Sequence, residues 1–549
     1  MTVQRSDGWD REVALVSQIA AAASLLSFLY YFRHGDLLLY GDAVAHINIA
    51  RRVIDSRTPG PLQLGTVWLP LPHLLMIPFL FSDAAWQTGI AGSIPAMGAY
   101  VFATAGIFRL VRDSLRGREP ASVPTRIAAW LAAVIYAANP NLLYLQATAM
   151  TEVLYSALFI WALIYGSEFY RAAEELDPSR AGSSLRKCGW CVAGASLTRY
   201  DGWFLAGAMA LVFPFVIVRS DDNPRALRRS LVGFILLAAS APLLWLGYNA
   251  LVYRDPLEFA RGRYSARAIE QKAKALRSSP YPGWQDPRVS FSYFLKAAES
   301  NMAENGVEQK IWLGLFVVGT GIVVLIRRRL WPLVLVVIPL PFYTLSVAYG
   351  SVPIYLPHWW PFSYYNVRFG TELIAAFAVF AAVTIGCGLG RAWATWTKAA
   401  MVVGLVALVA TSYAGIWKAQ PICYREAWAN SLTRVAFEKE LAATLLKLPP
   451  DSDLLMYLGD HVGALEDAGI PLGRVINEGN HRPWKKPSDP EGLWEKALAD
   501  PLRYVDYVIA IDEDPVAARV EHRDLASLVV VHTLGQAPAT IYWTHRQKH

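Results

Sequence analysis

The stretch TELIAAFAVFAAVTIGCGLG, residues 371–390, decides the class of this protein. A helix needs about 20 mostly apolar residues to cross the ~30 Å hydrocarbon core of a bilayer, and this run has that length. Runs of the same kind recur through the first 417 residues. The 549-residue chain is 54% hydrophobic and only 17% charged, whereas about a quarter of the residues in a soluble domain are charged. We therefore predict a mainly α-helical, polytopic membrane protein.

Eleven apolar runs predict about eleven transmembrane helices within a membrane domain of residues 1–417. They lie at residues 11–32, 84–108, 126–140, 150–170, 188–199, 203–218, 231–252, 309–326, 331–349, 371–390 and 399–417. The runs at 126–140 and 188–199 are short, so we expect these helices to be tilted or partly buried. Residues 418–549 have the composition of a soluble protein and interleave strand and helix signals, which predicts a C-terminal α/β domain.

Arginine and lysine in the short connectors predict the orientation of the helices. Basic side chains concentrate in alternate connectors, at 109–126, 171–187, 219–229, 327–329 and 391–398, and the short opposite loops are nearly free of them. Positively charged loops stay in the cytoplasm. We therefore expect a multi-pass protein of the bacterial inner (cytoplasmic) membrane, with its N-terminus inside. The external loops 33–83 and 253–308 and the C-terminal domain then lie outside.

The loop 253–308 is basic although it lies on the predicted outer side. Long loops are largely exempt from the rule that positively charged loops stay in the cytoplasm. The basic residues of this loop form either a solvated face or an electrostatic funnel for anionic headgroups.

The segment GDAVAHINIARR, residues 41–52, follows the first predicted span and reads as a helix along the membrane surface. Asp42 lies at its start, where an acidic residue suits the helix dipole. His46 follows four residues later and shares a face with Asp42. The alternative is an ordinary capping Asp42 with a solvated His46.

Further ionisable and aromatic residues map to the same outer face, and such residues at membrane depth are candidates for function. His73 ends the segment WLPLPH, residues 68–73, and Glu152 lies at the outer end of the fourth span. Arg199 lies in the turn LTRYDG, residues 197–202. Tyr365 and Arg368 belong to HWWPFSYYNVRFG, residues 358–370, an aromatic belt. An Arg there can bind a phosphate in a forked geometry, or the belt can serve only as an interfacial anchor.

Carboxylate and imidazole side chains in this set suggest a metal. Asp42, His46 and Glu152, with His73 nearby in the same loop, could hold a divalent cation.

Taken in order, these motifs resemble those of the GT-C glycosyltransferases that use polyprenyl-phosphate sugars, especially the protein O-mannosyltransferase and aminoarabinose–lipid A transferase branch. The resemblance covers residues 1–417. The family carries an Asp-Glu pair, an aromatic residue and an Ala-Arg pair, and Asp42, His46, Ala50 and Arg51 occupy these positions. Four later family motifs correspond to residues 68–73, Glu152, residues 197–202 and residues 366–370. The chain departs from the family where Ala43 replaces Glu, His46 replaces an aromatic residue and Tyr200 replaces Pro.

The resemblance implies a GT-C-like fold and a transferase at the extracytoplasmic face. Its donor would be a polyprenyl-phosphate sugar, and its acceptor a hydroxyl of a lipid, glycan or protein; no nucleic acid partner is expected. Asp42 would act as the general base, with inversion at the anomeric carbon. Arg199 and Arg368 would hold the lipid phosphate, and the remaining substrate-binding candidates are His46, His73, Glu152 and Tyr365.

Three other functions are compatible with parts of the sequence. A lipid-linked oligosaccharide ligase or polymerase also uses large external loops, but it needs no monosaccharide–phosphate donor. A secondary transporter would show internal repeats and broken helices at the midplane, whereas these candidates cluster at one face. A receptor with a C-terminal sensor domain would leave the outer-face carboxylates without a role.

Overall fold

The structure is a computed structural model of the chain and describes residues 7–116, 122–218, 224–275, 279–481, 489–521 and 525–546. Residues 117–121 and 219–223 of two predicted cytoplasmic connectors lie outside the described residues, as do residues 276–278 of the basic loop.

Each of the eleven predicted spans has a helix in its place. Eight helical segments of the described chain are long and apolar enough to cross a membrane: Arg11–His34, Ile90–Arg116, Glu152–Glu174, Leu227–Tyr253, Gly306–Ile326, Arg329–Tyr349, Val367–Leu389 and Thr395–Leu445. The last contains two helices, Thr395–Ala419 and Ile422–Leu445. Two shorter apolar helices are Val123–Ala137 and Asp201–Ile217, and the 19-residue helix Pro178–Ser196 occupies the remaining position. The predicted polytopic, mainly helical fold is confirmed.

Further helices lie between and within these segments and in the C-terminal domain. The α-helices are Gly41–Arg52, Leu71–Met76, Asp83–Gln87, Pro140–Leu145, Glu258–Arg261, Ala266–Ala275, Pro287–Met302, Leu458–His461, Gly463–Ala468, Leu493–Ala499, Pro501–Tyr504 and Pro515–Arg519. Short 3-10 helices are Pro61–Leu64, Ile77–Phe79, Arg328–Val337, Val367–Leu373 and Leu472–Arg474, and Ile322–Ile326 is a π-helix.

Local sequence explains several helix starts. Asn139 and Asp286 each precede a proline at the first helical position, where its missing N–H costs nothing. The side chain of Asn139 accepts the N–H groups of Asn141 and Leu142, and that of Asp286 caps its helix in the same way.

The C-terminal domain contains a five-stranded sheet, as its alternating signals predict. Its strands are β1 (Leu454–Met456), β2 (Val475–Ile476), β3 (Tyr507–Ile511), β4 (Ala526–Val531) and β5 (Ala539–Trp543). The order is β2-β1-β3-β5-β4, with β1 parallel to β2 and β3 and with β5 antiparallel to β3 and β4. Helices interleave with the strands, so the domain is of the predicted α/β kind.

The apolar stretch that decides the class of the protein becomes the centre of the bundle. Ten consecutive residues, 374–383, are buried. This helix is preceded directly by the 3-10 turn Val367–Leu373, whose seven residues are all buried and which packs against Pro287–Met302. Because this turn is buried at the end of a buried helix, its side chains have little space in which to move.

Close packing at Gly370 generates a first prediction. A Cβ atom at this position would lie 2.5 Å from the carbonyl carbon of Ala297 and 2.6 Å from its oxygen. Gly370→Ala should therefore push the turn away from this backbone and cost about 1–3 kcal/mol. Thermal unfolding in detergent should show a melting temperature lowered by several degrees.

Gly314→Ala is the matched control, because its Cβ meets nothing within 4 Å. A helix gains from Ala over Gly, so this variant should melt at or above the wild-type temperature. Equal melting temperatures for the two variants would contradict the close contact at Gly370.

Candidate active site

The guanidinium of Arg368 joins three carboxylates from distant parts of the chain. Its Nη2 donates to Oδ2 of Asp42 at 2.5 Å, its Nε to Oε1 of Glu152 at 3.1 Å, and its Nη1 to Oε1 of Glu426 at 3.0 Å. Its backbone N–H also donates to Oε2 of Glu426, at 3.1 Å. The planar fork of an arginine suits such an arrangement, because its five N–H donors point in fixed directions.

A second arginine shares one of these carboxylates. Nη1 of Arg199 donates to Oε1 of Glu152 at 3.1 Å and to the hydroxyl of Thr151 at 3.0 Å. Its Nη2 donates to the hydroxyl of Tyr343 at 2.9 Å, and its Nε to Oδ2 of Asp201 at 3.3 Å. Tyr343 in turn donates to the same oxygen of Asp201 at 3.0 Å. The two arginines thus form one continuous network of charges through Glu152.

Exposure differs sharply among the carboxylates that bind Arg368. The side chains of Glu152 and Glu426 are each 1% exposed, whereas that of Asp42 is 40% exposed. A buried carboxylate of this kind balances the buried guanidinium. Of the three, Asp42 is the one that can meet a substrate while still held by Arg368.

The two histidines of the predicted set form a buried pair. Nδ1 of His46 lies 2.9 Å from Nε2 of His73, and the His46 ring packs against Trp68 with centroids 4.8 Å apart. The alternative of a solvated His46 is wrong, because His46 is buried. Burial, together with the charges of Arg199 and Arg368, lowers the pKa of His46 to about 3. His46 is therefore neutral at physiological pH.

His73 is neutral for a similar reason. Burial lowers its pKa well below the ordinary value, and the charge of Arg52 adds to this effect. One neutral ring of the pair then donates the shared hydrogen bond and the other accepts it.

Burial raises the pKa of the Tyr365 hydroxyl and the charge of Asp42 raises it further, so Tyr365 lies beside the charge network. The residue is 39% exposed, and its ring lies beside that of Tyr355 with centroids 5.6 Å apart. Within the described chain, its side chain makes no hydrogen bond to the carboxylates or arginines of the network.

The predicted metal ligands are not assembled around one centre. Asp42 and Glu152 bind the guanidinium of Arg368, and His46 binds His73. Among the described residues, no group of three or more His, Cys, Asp or Glu side chains is arranged to hold a metal ion. This arrangement does not fit the metal site suggested by the sequence.

Several members of the network are absent from the sequence-based set. Asp201 lies within the turn that supplies Arg199, and Glu372 lies buried inside the decisive apolar run, where Ser156 donates to it at 3.5 Å. A charged residue in such a run is itself a signal. Glu426 gave no such signal, because it falls in the segment predicted to be soluble.

Comparison with known proteins identifies the fold. No protein-family model and no curated protein sequence matches the chain. The apo structure of ArnT from Cupriavidus metallidurans superposes with a TM-score of 0.57 at 15% identity, covering 97% of this chain and 98% of that one. This protein has the ArnT fold.

A second ArnT structure from Cupriavidus metallidurans, bound to undecaprenyl phosphate, has a TM-score of 0.56 at 14% identity and covers 98% of both chains. ArnT is a GT-C protein, so the GT-C resemblance of the sequence is confirmed for the fold. The oligosaccharyltransferase of Archaeoglobus fulgidus, solved with Zn and sulfate, has a TM-score of 0.45 at 13% identity over 96% of this chain and 72% of that one. This likeness is too distant for a comparison of sites.

The buried ion pairs of Glu152 lead to a prediction about the stability of the protein. Glu152→Gln would leave the guanidinium groups of Arg199 and Arg368 without their shared counter-charge. Breaking a buried ion pair costs about 3–5 kcal/mol, so the melting temperature should fall by several degrees. Glu174→Gln, at the exposed end of the same helix, should change it by less than one degree. Similar melting curves for both variants would contradict the shared ion pair.

The low pKa of His46 generates a prediction about pH. The unfolded chain protonates this histidine below about pH 6.5, whereas the native protein keeps it neutral down to about pH 3. Its contribution to stability is complete above the unfolded pKa and is lost as the pH falls toward the folded pKa.

Replacing the histidine by Phe removes this titration. Between about pH 7 and pH 5, the melting temperature of the wild type should fall more steeply than that of His46→Phe. His532→Phe, at an exposed site, should keep the wild-type slope. Parallel curves for wild type and His46→Phe would show that the pKa of His46 is the same in the folded and unfolded chains, which would contradict the lowered pKa.

Proposed function

We propose that the protein transfers a sugar from a polyprenyl-phosphate donor to an acceptor hydroxyl at the extracytoplasmic face of the bacterial inner membrane. The observation that carries this proposal is the accessible Asp42 carboxylate, held at 2.5 Å by Arg368. The ArnT fold supports it, because one ArnT structure was solved with undecaprenyl phosphate. The position of Asp42 in the first external loop also agrees with the GT-C motif.

In the proposed reaction, Asp42 accepts the proton of the acceptor hydroxyl. The hydroxyl oxygen attacks the anomeric carbon, and the bond between this carbon and the lipid-phosphate oxygen breaks. The leaving lipid phosphate keeps the bonding electron pair. A general base must lie within hydrogen-bond reach of the proton it takes. Arg368 fixes one oxygen of Asp42, so the carboxylate is oriented before substrate binds. Attack opposite the leaving group inverts the anomeric centre.

We assign the stabilisation of the leaving phosphate to the two arginines. Each terminal nitrogen of an arginine carries two N–H groups. The hydrogen bonds of Arg368 to its carboxylates use one N–H group of Nη1 and one N–H group of Nη2. The side chains of Arg368 and Arg199 are 10% and 15% exposed. Charge-assisted hydrogen bonds from their remaining donors would stabilise negative charge as it develops on the phosphate.

The donor class separates this function from its nearest rival. A transferase of this kind consumes a single sugar on a polyprenyl monophosphate, whereas a ligase or polymerase consumes a lipid-linked oligosaccharide. Purified protein should release polyprenyl phosphate from a donor of the first class. If the protein turns over only oligosaccharide donors, it is a ligase or polymerase and the proposed function is wrong.

The role of Asp42 gives the direct mutational test. Asp42→Asn preserves the size of the side chain but removes its ability to take a proton, so transfer should fall by roughly 100-fold or more. Release of polyprenyl phosphate from a panel of monosaccharide donors measures this loss. Asp83→Asn, an exposed carboxylate in the same loop, should retain wild-type turnover. Retained turnover in folded Asp42→Asn would remove Asp42 from the role of base.

A further inference from the structure

A cavity of about 320 Å³ lies outside the charge network but shares a wall with it. Arg425 lines the cavity, and the next residue, Glu426, binds Arg368. Consecutive residues of a helix point about 100° apart, so the first turns of Ile422–Leu445 separate the two sites. The volume falls at the lower end of the range of about 300–1,000 Å³ that is typical of small-molecule sites.

The lining combines an apolar surface with a varied set of polar groups. The apolar side consists of Leu356, Pro357, Trp359 and Ile422. The polar side presents an ammonium, a hydroxyl, a carboxylate, an amide, an imidazole and a guanidinium, from Lys296, Ser300, Glu304, Gln309, His358 and Arg425. The cavity therefore offers hydrogen-bond donors and acceptors together with an aromatic ring.

The lysine and the arginine of this cavity are already paired. Nη2 of Arg425 binds Oε2 of Glu304 at 2.6 Å. Nζ of Lys296 binds Oε2 of Glu299 at 3.3 Å and also donates to the amide oxygen of Gln309. These internal pairs leave little net positive charge for a phosphate. The balance of charge instead suits a neutral ligand that has many hydroxyl groups.

We propose that this cavity binds a saccharide unit. A pyranose ring has an apolar C–H face that packs against an aromatic side chain, here Trp359, and hydroxyls that both donate and accept hydrogen bonds. A saccharide therefore uses both sides of the lining, whereas a bare phosphate would use neither the aromatic ring nor the acceptors. The assignment of this saccharide to a glycan acceptor rests on the proposed function, whereas the binding of a saccharide rests on the lining alone.

The test measures binding to the full-length chain in lipid nanodiscs. Methyl pyranosides of glucose, mannose, galactose and N-acetylglucosamine are titrated separately, with inorganic phosphate as the rival ligand, and saturation-transfer NMR gives the dissociation constants. At least one pyranoside should bind saturably, and phosphate should not. Trp359→Ala and Arg425→Gln should each weaken pyranoside binding by about tenfold or more.

Trp360→Ala is the matched control, because Trp360 is an exposed aromatic neighbour that is not part of the lining. It should bind the pyranoside as the wild type does. Trp359 also packs against Tyr293, with ring centroids 4.9 Å apart, so melting temperatures are measured for all variants. Arg425→Gln keeps the test decisive if Trp359→Ala fails to fold.

Three results would overturn the assignment: no pyranoside binds, phosphate binds in its place, or folded Arg425→Gln binds pyranoside with wild-type affinity. Asp42→Asn separates the two proposals, because it should bind the pyranoside normally while lacking transfer. If every sugar donor fails to turn over and pyranoside binding persists, the proposed function is wrong and the saccharide site stands.

Discussion

A single buried guanidinium, that of Arg368, connects the parts of this protein on which function depends. Its charge is stable away from water only because Asp42, Glu152 and Glu426 surround it. These carboxylates come from the loop that follows the first membrane helix, the start of another membrane helix and the helix that leads into the C-terminal domain. The fold must bring the three segments together to satisfy one side chain. The same contacts leave Asp42 oriented and accessible, which the proposed chemistry requires.

The C-terminal domain contributes to this arrangement. Asn48, on the helix that carries Asp42, donates to Glu466 at 2.7 Å. Asp55, just beyond that helix, accepts the backbone N–H groups of Leu472 and Gly473 at 3.1 and 2.7 Å. The helix of Asp42 is thus held from the C-terminal side as well as by Arg368. Because Glu426 comes from the same side, docking of this domain and the geometry of the site depend on one another.

The sequence predicts the fold well because the length and apolar character of a membrane helix are local properties. It predicts the site less completely, because Asp42 and Arg368 are 326 residues apart and only the fold shows their contact. Ordered motifs still indicate Asp42, Glu152, Arg199 and Arg368. The local sequence pattern cannot show that Glu426 contacts Arg368 of the membrane domain. Nor can it show that both histidines bind each other, which leaves the suggested metal without its ligand set.

In the proposed mechanism, an acceptor hydroxyl loses its proton to Asp42 as the sugar leaves its lipid phosphate. The decisive experiment is an experimental structure with a non-transferable polyprenyl-phosphate sugar and an acceptor analogue. We expect an acceptor oxygen within about 3 Å of the Asp42 carboxylate, and the phosphate on the side of Arg199 and Arg368. An acceptor oxygen bound beside another base, with Asp42 facing only water, would rule this mechanism out.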